Sequence, residues 1–460
     1  MKSYPYKSFF FIGIAGTGMS AIAQYLKGKE KKIAGSDRMF HATNKMQIQE
    51  QFESQGITCF SQDGSGITQD IDVVVISTAI EESNIEYQKA KKLHIPIIKR
   101  SELLAIISNS IPTIAVGGTA GKSTTTAMIF HILQSCGKNP SLITGAGLSS
   151  LQKQGIPGNA WVGEGNWLVI EADESDGSIV NYSPEIGILL NIQRDHKEYH
   201  ELQELFTQFK ENTKSFFIVN QNCERAKMLS QNAEYDFGFS SNAGIYGHDF
   251  KQNGFSISFS VHSQQCTIPV IGKHNMENAL AALAVSVKVG ISMPDAIHAL
   301  ASFEGIYRRT QLVGKDAHAN IYVVDDFAHN PSEVSAAIAA CQEISPRVIA
   351  WFQPHGFGPL QFMHKELAQD VSTQLRKQDI FCISDVFYAG GTVDKNISPR
   401  IVSDAMQKNG KNALYIQQKN DFLQQLPTLV QDNDIVLIMG ARDPHLHEFA
   451  QQVLQTIHAR

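Results

Sequence analysis

Residues 113–126, Thr-Ile-Ala-Val-Gly-Gly-Thr-Ala-Gly-Lys-Ser-Thr-Thr-Thr, leave this chain few ways to fold. Thr113 to Val116 is a short apolar run that reads as a strand. Gly117, Gly118 and Gly121 make a turn, and an amphipathic helix opens at Lys122 and Ser123, with Met128, Ile129, Ile132 and Leu133 as its apolar stripe. Strand, glycine turn, Lys-Ser and helix, in that order, form the layout of a phosphate-binding loop. Glycines let backbone N–H groups face an anion, the helix N-terminus adds partial positive charge, Lys adds a full charge, and the Ser hydroxyl can ligate Mg²⁺. Val116 stands where the usual G-x-x-x-x-G-K-[ST] spacing has its first glycine. Nucleotide triphosphate chemistry is the leading expectation; the plain alternative is a tight strand-to-helix connection with no ligand.

At 460 residues the chain exceeds one ordinary core, so two or three domains are expected. Hydrophobic content of 43% and charged content of 18% suit a globular protein in water. A net charge of −6 with no dense basic run argues against a nucleic-acid partner. Cys59, Cys136, Cys223, Cys266, Cys341 and Cys382 are scattered without a C-x-x-C pair, which reads as reduced thiols and not as a zinc site. Neither a secretory signal nor an apolar span of ~20 residues stands out, so no membrane insertion and a cytoplasmic location are expected.

Strands alternate with helices along most of the length. Apolar runs at 8–14, 71–76 and 94–98, with a shorter one ending at Asp37, make a first parallel, doubly wound sheet. A second group holds 113–116, 167–171 and 186–191, followed by β-like runs from 216 to 270 and helices from 275 to 289 and 294 to 303. A third holds 321–325, 348–352, 380–383 and 435–439. The fold class expected is therefore α/β, with domains at 1–108, 109–313 and 314–460.

The chemistry-bearing residues cluster where strands end. The loop Gly13-Ile14-Ala15-Gly16-Thr17-Gly18 approximates a dinucleotide fingerprint with Ala15 at its second glycine, and Asp37 follows where a ribose-binding carboxylate would stand. Taken alone, it is a weak signal: an NAD-dependent oxidoreductase is the obvious rival reading, and a tight turn with no ligand is the plain alternative. Glu171, Asp173, Glu174 and Asp176 follow an apolar strand, at the sheet edge where open α/β folds bind ligands, and suit Mg²⁺. Asn191 to His196 ends another strand, with His196 a metal ligand or an edge imidazole. His274 to Asn278, Tyr307-Arg308-Arg309, Asp325 to Pro331, and Phe352 to His355 are further polar clusters at element ends.

Taken together, and in this order, these motifs resemble the Mur ligases, ATP-dependent amino-acid-adding enzymes of peptidoglycan synthesis, over essentially the whole chain. Gly18-Met19-Ser20 and the Glu171–Asp176 run look most like the branch that joins L-alanine to UDP-N-acetylmuramate; the branch that attaches a recycled tripeptide to the same sugar nucleotide is the near neighbour. The resemblance implies three domains: an N-terminal Rossmann-like UDP-sugar domain, a central P-loop ATPase sheet and a C-terminal Rossmann-like domain for the incoming amine. It implies ATP with Mg²⁺, and UDP-N-acetylmuramate and an amino acid or peptide as small-molecule substrates. Lys122 would hold the ATP phosphates, within a loop of Gly118, Thr119, Gly121, Ser123 and Thr124. Ser123 and Glu171 would serve Mg²⁺ and His196 a second Mg²⁺. Asn278 would contact adenine, Asp326 ribose, and Arg309 or Arg308 phosphate. His329 would border the reacting centre and His355 the amine. Gly13, Ala15, Gly16, Thr17, Gly18, Met19, Ser36 and Asp37 would cradle the UDP-sugar.

The chain departs from the branch in three places. Ala120 replaces a usual His in the phosphate loop. Gly356 and Pro359 replace two arginines that would face an amino-acid carboxylate. Gly440-Ala441-Arg442-Asp443-Pro444 differs from the usual glycine-rich ending. These leave open the identity of the amine, and a non-catalytic UDP-sugar-binding paralogue. A folate- or cyanophycin-type ligase would share the central domain but not the first.

Overall fold

The structure is a computed structural model that describes residues 5–41, 43, 45–193, 197–388 and 395–460. His196 lies outside the described residues. The chain divides into two compact units, one of Met1–Asp249, Phe259–Thr267 and Glu277–Ile306, the other of Phe250–Ser258, Ile268–Met276 and Tyr307–Arg460.

The first unit holds two α/β sheets. One has five parallel strands in the spatial order Thr58–Ser61, Lys32–Asp37, Ser8–Ile12, Val73–Ile76, Ile97–Lys99. The order reverses beside Ser8–Ile12, so the crevice at the C-terminal end of that strand is where such a sheet takes a ligand. Ser8–Ile12 and Val73–Ile76 are buried along their whole length, which explains why both read as unbroken apolar runs. The expected strand at 8–14 stops at Ile12 because Gly13 turns the chain with φ +78°.

The other sheet runs Phe216–Val219, Ile186–Leu189, Thr113–Gly117, Leu168–Glu171, Ser141–Ile143, Ala160–Trp161. All pair in parallel except the last two, which form an antiparallel edge. Thr113–Gly117 is central, and the helix Lys122–Ser135 follows it directly. A four-stranded sheet follows in sequence, Phe237–Gly238, Ile245–Asn253, Ser256–Val261 and Gln264–Ile268.

In the second unit a six-stranded sheet has the order Gln311–Asp316, Ile321–Asp326, Asp434–Gly440, Arg347–Gln353, Ile380–Ile383, Ala413–Tyr415. Gln311–Asp316 is antiparallel to its neighbour and the rest are parallel. Its amphipathic, half-exposed pattern hid it from a reading based on apolar runs. Among the described residues no helix is long and apolar enough to cross a membrane.

Candidate active site

The phosphate loop is built as its residues require. Gly121, directly before the helix Lys122–Ser135, has φ +84°, and a Cβ there would sit 2.6 Å from the Asn278 Oδ1. Any L side chain would meet both backbone strain and a collision. Asn191, from the end of the neighbouring strand, clamps the loop. Its Oδ1 accepts from the Thr119 hydroxyl at 2.8 Å and the Ala120 N–H at 2.9 Å, and its Nδ2 donates to the Ala120 carbonyl at 3.0 Å. Asn191 was missed as a functional residue; its place at the end of an apolar strand beside the loop strand was the available signal.

Lys122 Nζ donates to the Gly118 carbonyl at 2.7 Å and to both carboxylate oxygens of Glu174, at 3.2 and 2.9 Å. Glu174 is 3% exposed. Burial alone would push the Lys122 ammonium down, but the Glu174 and Asp173 carboxylates outweigh it and hold its pKa above the usual lysine value. The lysine is therefore a fixed cation at the mouth of a helix N-terminus. Glu171 lies at the end of Leu168–Glu171; its Oε1 accepts from the Thr144 hydroxyl and from the Gly145 N–H at 2.7 Å. Both of those bonds go to the same carboxylate oxygen. Ser123 is buried in the first turn of the same helix as Lys122. Among the described residues no group of three His, Cys, Asp or Glu side chains could hold a metal unaided. A carboxylate and a hydroxyl beside a phosphate loop nevertheless suit Mg²⁺, which takes oxygen donors and usually borrows the substrate's phosphates for the rest of its shell.

Asn278, 6% exposed, accepts from the Thr125 hydroxyl at 3.2 Å, so it sits beneath the loop at the start of the helix. The first glycine loop is fixed by the strand beside it. Gly13 and Ile14 N–H groups donate to the Ser36 carbonyl at 2.8 and 3.0 Å, and Ala15 N–H donates to Asp37 Oδ2 at 3.1 Å. The helix Thr17–Gly28 begins at Gly16 without a capping side chain, which leaves its first N–H groups to solvent or a ligand. Ser36 bonds the buried Glu86, and the Met19 side chain is buried.

The second unit gathers Arg309, Asp326, His329 and His355 around the turn after Ile321–Asp326. Its two adjacent arginines differ in kind. Arg308, with φ +56°, turns inward: Nε meets both oxygens of the fully buried Asp325 at 3.0 and 3.1 Å, and a terminal nitrogen donates to the Gly440 carbonyl at 2.8 Å. Its fork is engaged in the fold, whereas Arg309 lies over the Phe327 ring at 5.1 Å, within 3.9 Å of Glu333. His329 Nδ1 is 3.1 Å from Glu333 Oε2, and its ring packs edge-on against His355 with centroids 5.0 Å apart. Asp326 accepts backbone N–H bonds from Thr310 and Ala328, both at 2.6 Å, and burial pushes its pKa up to about 6.

Burial would also raise the Glu333 carboxyl, but the neighbouring His329 and Arg309 draw it down to about 2, against a usual 4.5. A folded pKa below the unfolded one gives stability that is present above pH ~4.5 and lost as the pH falls toward 2. Glu333→Gln is expected to cost on the order of 3 kcal/mol at pH 7, a difference that shrinks below pH ~4.5. Urea unfolding across that range checks it; equal stability at pH 7 would contradict the assignment.

Gly356 begins the helix Phe357–Gln374 with φ +154° and ψ 151°, a region reserved for glycine, and a Cβ there would lie 3.2 Å from Pro359 Cδ. An arginine could not occupy 356 without a different turn.

Family models match most of the chain: the Mur ligase family catalytic domain at residues 8–111, the Mur ligase middle domain at 116–286, and the Mur ligase glutamate ligase domain at 308–442. A UDP-N-acetylmuramate–L-alanine ligase of Syntrophomonas wolfei is 34% identical over 96% of each chain. The enzyme of the same name from Geotalea uraniireducens is 33% identical over 94% of each. Among solved structures, a UDP-N-acetylmuramate–alanine ligase from Thermotoga maritima superposes with a TM-score of 0.81 at 24% identity, covering 98% of this chain and 99% of that one. A murein peptide ligase from Psychrobacter arcticus gives 0.70 at 20% identity, covering 99% of each. With three consecutive family domains, relatives matched end to end and a phosphate loop whose lysine is held in place, this chain belongs to the Mur ligase family, the ATP-dependent ligases of peptidoglycan synthesis.

Proposed function

We propose that this chain joins UDP-N-acetylmuramate to an amine, with L-alanine favoured, through an acyl phosphate and with release of ADP and phosphate. The observation that carries this reading is Lys122, fixed and charged at the helix N-terminus beside Glu171 and Glu174. The muramoyl carboxylate attacks the γ-phosphorus of ATP, the P–O bond to ADP breaks, and the amine then displaces phosphate from the acyl carbon. Lys122 and the loop N–H groups offset charge on the phosphoryl oxygens. Ser123 and Glu171 would hold Mg²⁺, which supplies further neutralisation of the triphosphate, and His196 is proposed for a second Mg²⁺. Asn278 and Asp326 would receive adenine and ribose. Arg309 would approach phosphate, His329 would border the acyl carbon and His355 the amine. In this scheme residues 1–108 bind the sugar nucleotide, 109–313 ATP and 314–460 the amine. A cytoplasmic site of action follows from its need for ATP and a UDP-sugar.

A peptide amine is the second reading. It is kept open by Gly356 and Pro359, whose side chains carry no charge to pair with a free amino acid's carboxylate. A UDP-sugar-binding paralogue without activity is disfavoured by the intact Lys122, Ser123 and Glu171. ADP release with UDP-N-acetylmuramate, tested against L-alanine, other amino acids and a murein tripeptide, decides among them. Turnover with L-alanine at least tenfold above the rest is the expected result. Preference for the tripeptide would move the chain to the second reading, and silence with every amine would overturn both.

A further inference from the structure

The helix Thr17–Gly28, which carries the sugar-nucleotide loop, and the antiparallel edge Ser141–Ile143 with Ala160–Trp161 belong to different sheets of one compact unit. Asn159, immediately before that edge strand and 5% exposed, joins them. Its Nδ2 donates to the Thr17 carbonyl at 2.9 Å and to the Ser20 Oγ at 2.7 Å. The Ser20 hydroxyl in turn donates to the same Thr17 carbonyl at 2.9 Å. Gln24 Nε2 donates to Asn159 Oδ1 at 2.8 Å. Both ends of the amide are used, and a flipped amide would set donor against donor and acceptor against acceptor.

The path continues to the phosphate-transfer side. The Asn159 carbonyl accepts from the Thr144 N–H at 3.0 Å, and the Thr144 hydroxyl donates to Glu171 Oε1. Three consecutive contacts therefore run from Thr17 in the first glycine loop to Glu171 beside the second. A parallel tie lies on the other side of the loop. The Arg100 guanidinium abuts Gly18 and meets Asp176 at 3.2 Å, in the acidic turn that also supplies Glu174 to Lys122.

Apolar packing between the sheets would suffice for adhesion. Directional bonds from one buried amide fix register as well, and register matters where two bound substrates must meet at reacting distance. We propose that Asn159 is a positioning residue for the ligation, setting the sugar-nucleotide loop against the Glu171 side of the phosphate-transfer site. The inference rests on the reading under Proposed function.

Asn159→Asp keeps size and the acceptor for Gln24 but turns an oxygen toward the Thr17 carbonyl. In the full chain, kcat for ADP formation is expected to fall about 10- to 100-fold, since small misplacements cost that much. Calorimetric Kd values for UDP-N-acetylmuramate and for a non-hydrolysable ATP analogue, each titrated alone, are expected to stay within about threefold, because each site lies within its own sheet. Gln24→Met leaves the Asn159 Oδ1 unanchored and should show the same split, smaller, at about 3- to 10-fold in kcat; it decides the matter if Asn159→Asp does not fold. A purely adhesive role would lower Tm and leave kcat alone. An active wild type whose variants keep kcat within about twofold, or lose affinity instead of kcat, would overturn this inference alone. A wild type silent with every amine would overturn the functional reading and this inference with it.

Discussion

Replacing Lys122 by alanine is expected to lower ADP formation about 10³-fold while UDP-N-acetylmuramate binding stays near wild type. The ammonium is the one full positive charge bonded within the phosphate loop itself, and its neighbours Glu174 and Asp173 keep it protonated. Its loss removes stabilisation that grows as charge shifts onto the phosphoryl oxygens, so the deficit belongs in kcat. The first glycine loop lies in another sheet and should not feel it. The single substitution also strands Glu174, a buried carboxylate, at a stability cost on the order of 3–5 kcal/mol. The double variant Lys122→Ala, Glu174→Gln neutralises that charge. It should regain Tm without regaining turnover, which separates catalysis from folding. Turnover within tenfold of wild type in a folded single variant would contradict the role given to Lys122.

Glu171→Gln is expected to have the next largest effect, about 10²- to 10³-fold in kcat, with half-maximal rate moved to higher Mg²⁺ concentration. Glutamine can keep its oxygen on the Thr144 hydroxyl and the Gly145 N–H while losing the charge at Oε2. Shape and local hydrogen bonding survive, so Tm should change little. A rate and Mg²⁺ dependence equal to wild type would show that Glu171 holds only the Thr144–Gly145 turn.

Much of this architecture was legible before the fold. The strands Thr113–Gly117 and Leu168–Glu171 are buried along nearly their whole length, so their sequences read as apolar runs; turn glycines mark the end of the first and the acidic run from Glu171 marks the end of the second. Strand ends in such sheets line up on one edge, which is why Lys122 and the acidic run could be placed together. Which carboxylate meets Lys122 could not be read, because Glu171, Asp173, Glu174 and Asp176 share one short stretch and only the turn decides that Glu174 faces inward. The two neighbouring arginines posed the same problem, resolved by the left-handed backbone at Arg308 that sends it to Asp325. Asn191 and Asn159 act through partners 72 and 142 residues away in sequence, a separation that local pattern does not encode.

The central claim is that the chain makes a carboxylate reactive by phosphorylating it. UDP-N-acetylmuramate labelled with ¹⁸O in its lactyl carboxylate, turned over with ATP and the preferred amine, tests this directly by mass spectrometry of the released phosphate. An acyl phosphate leaves one carboxylate oxygen on that phosphate, so one ¹⁸O per amide formed is expected there. Phosphate free of label, alongside labelled amide product, would contradict the account.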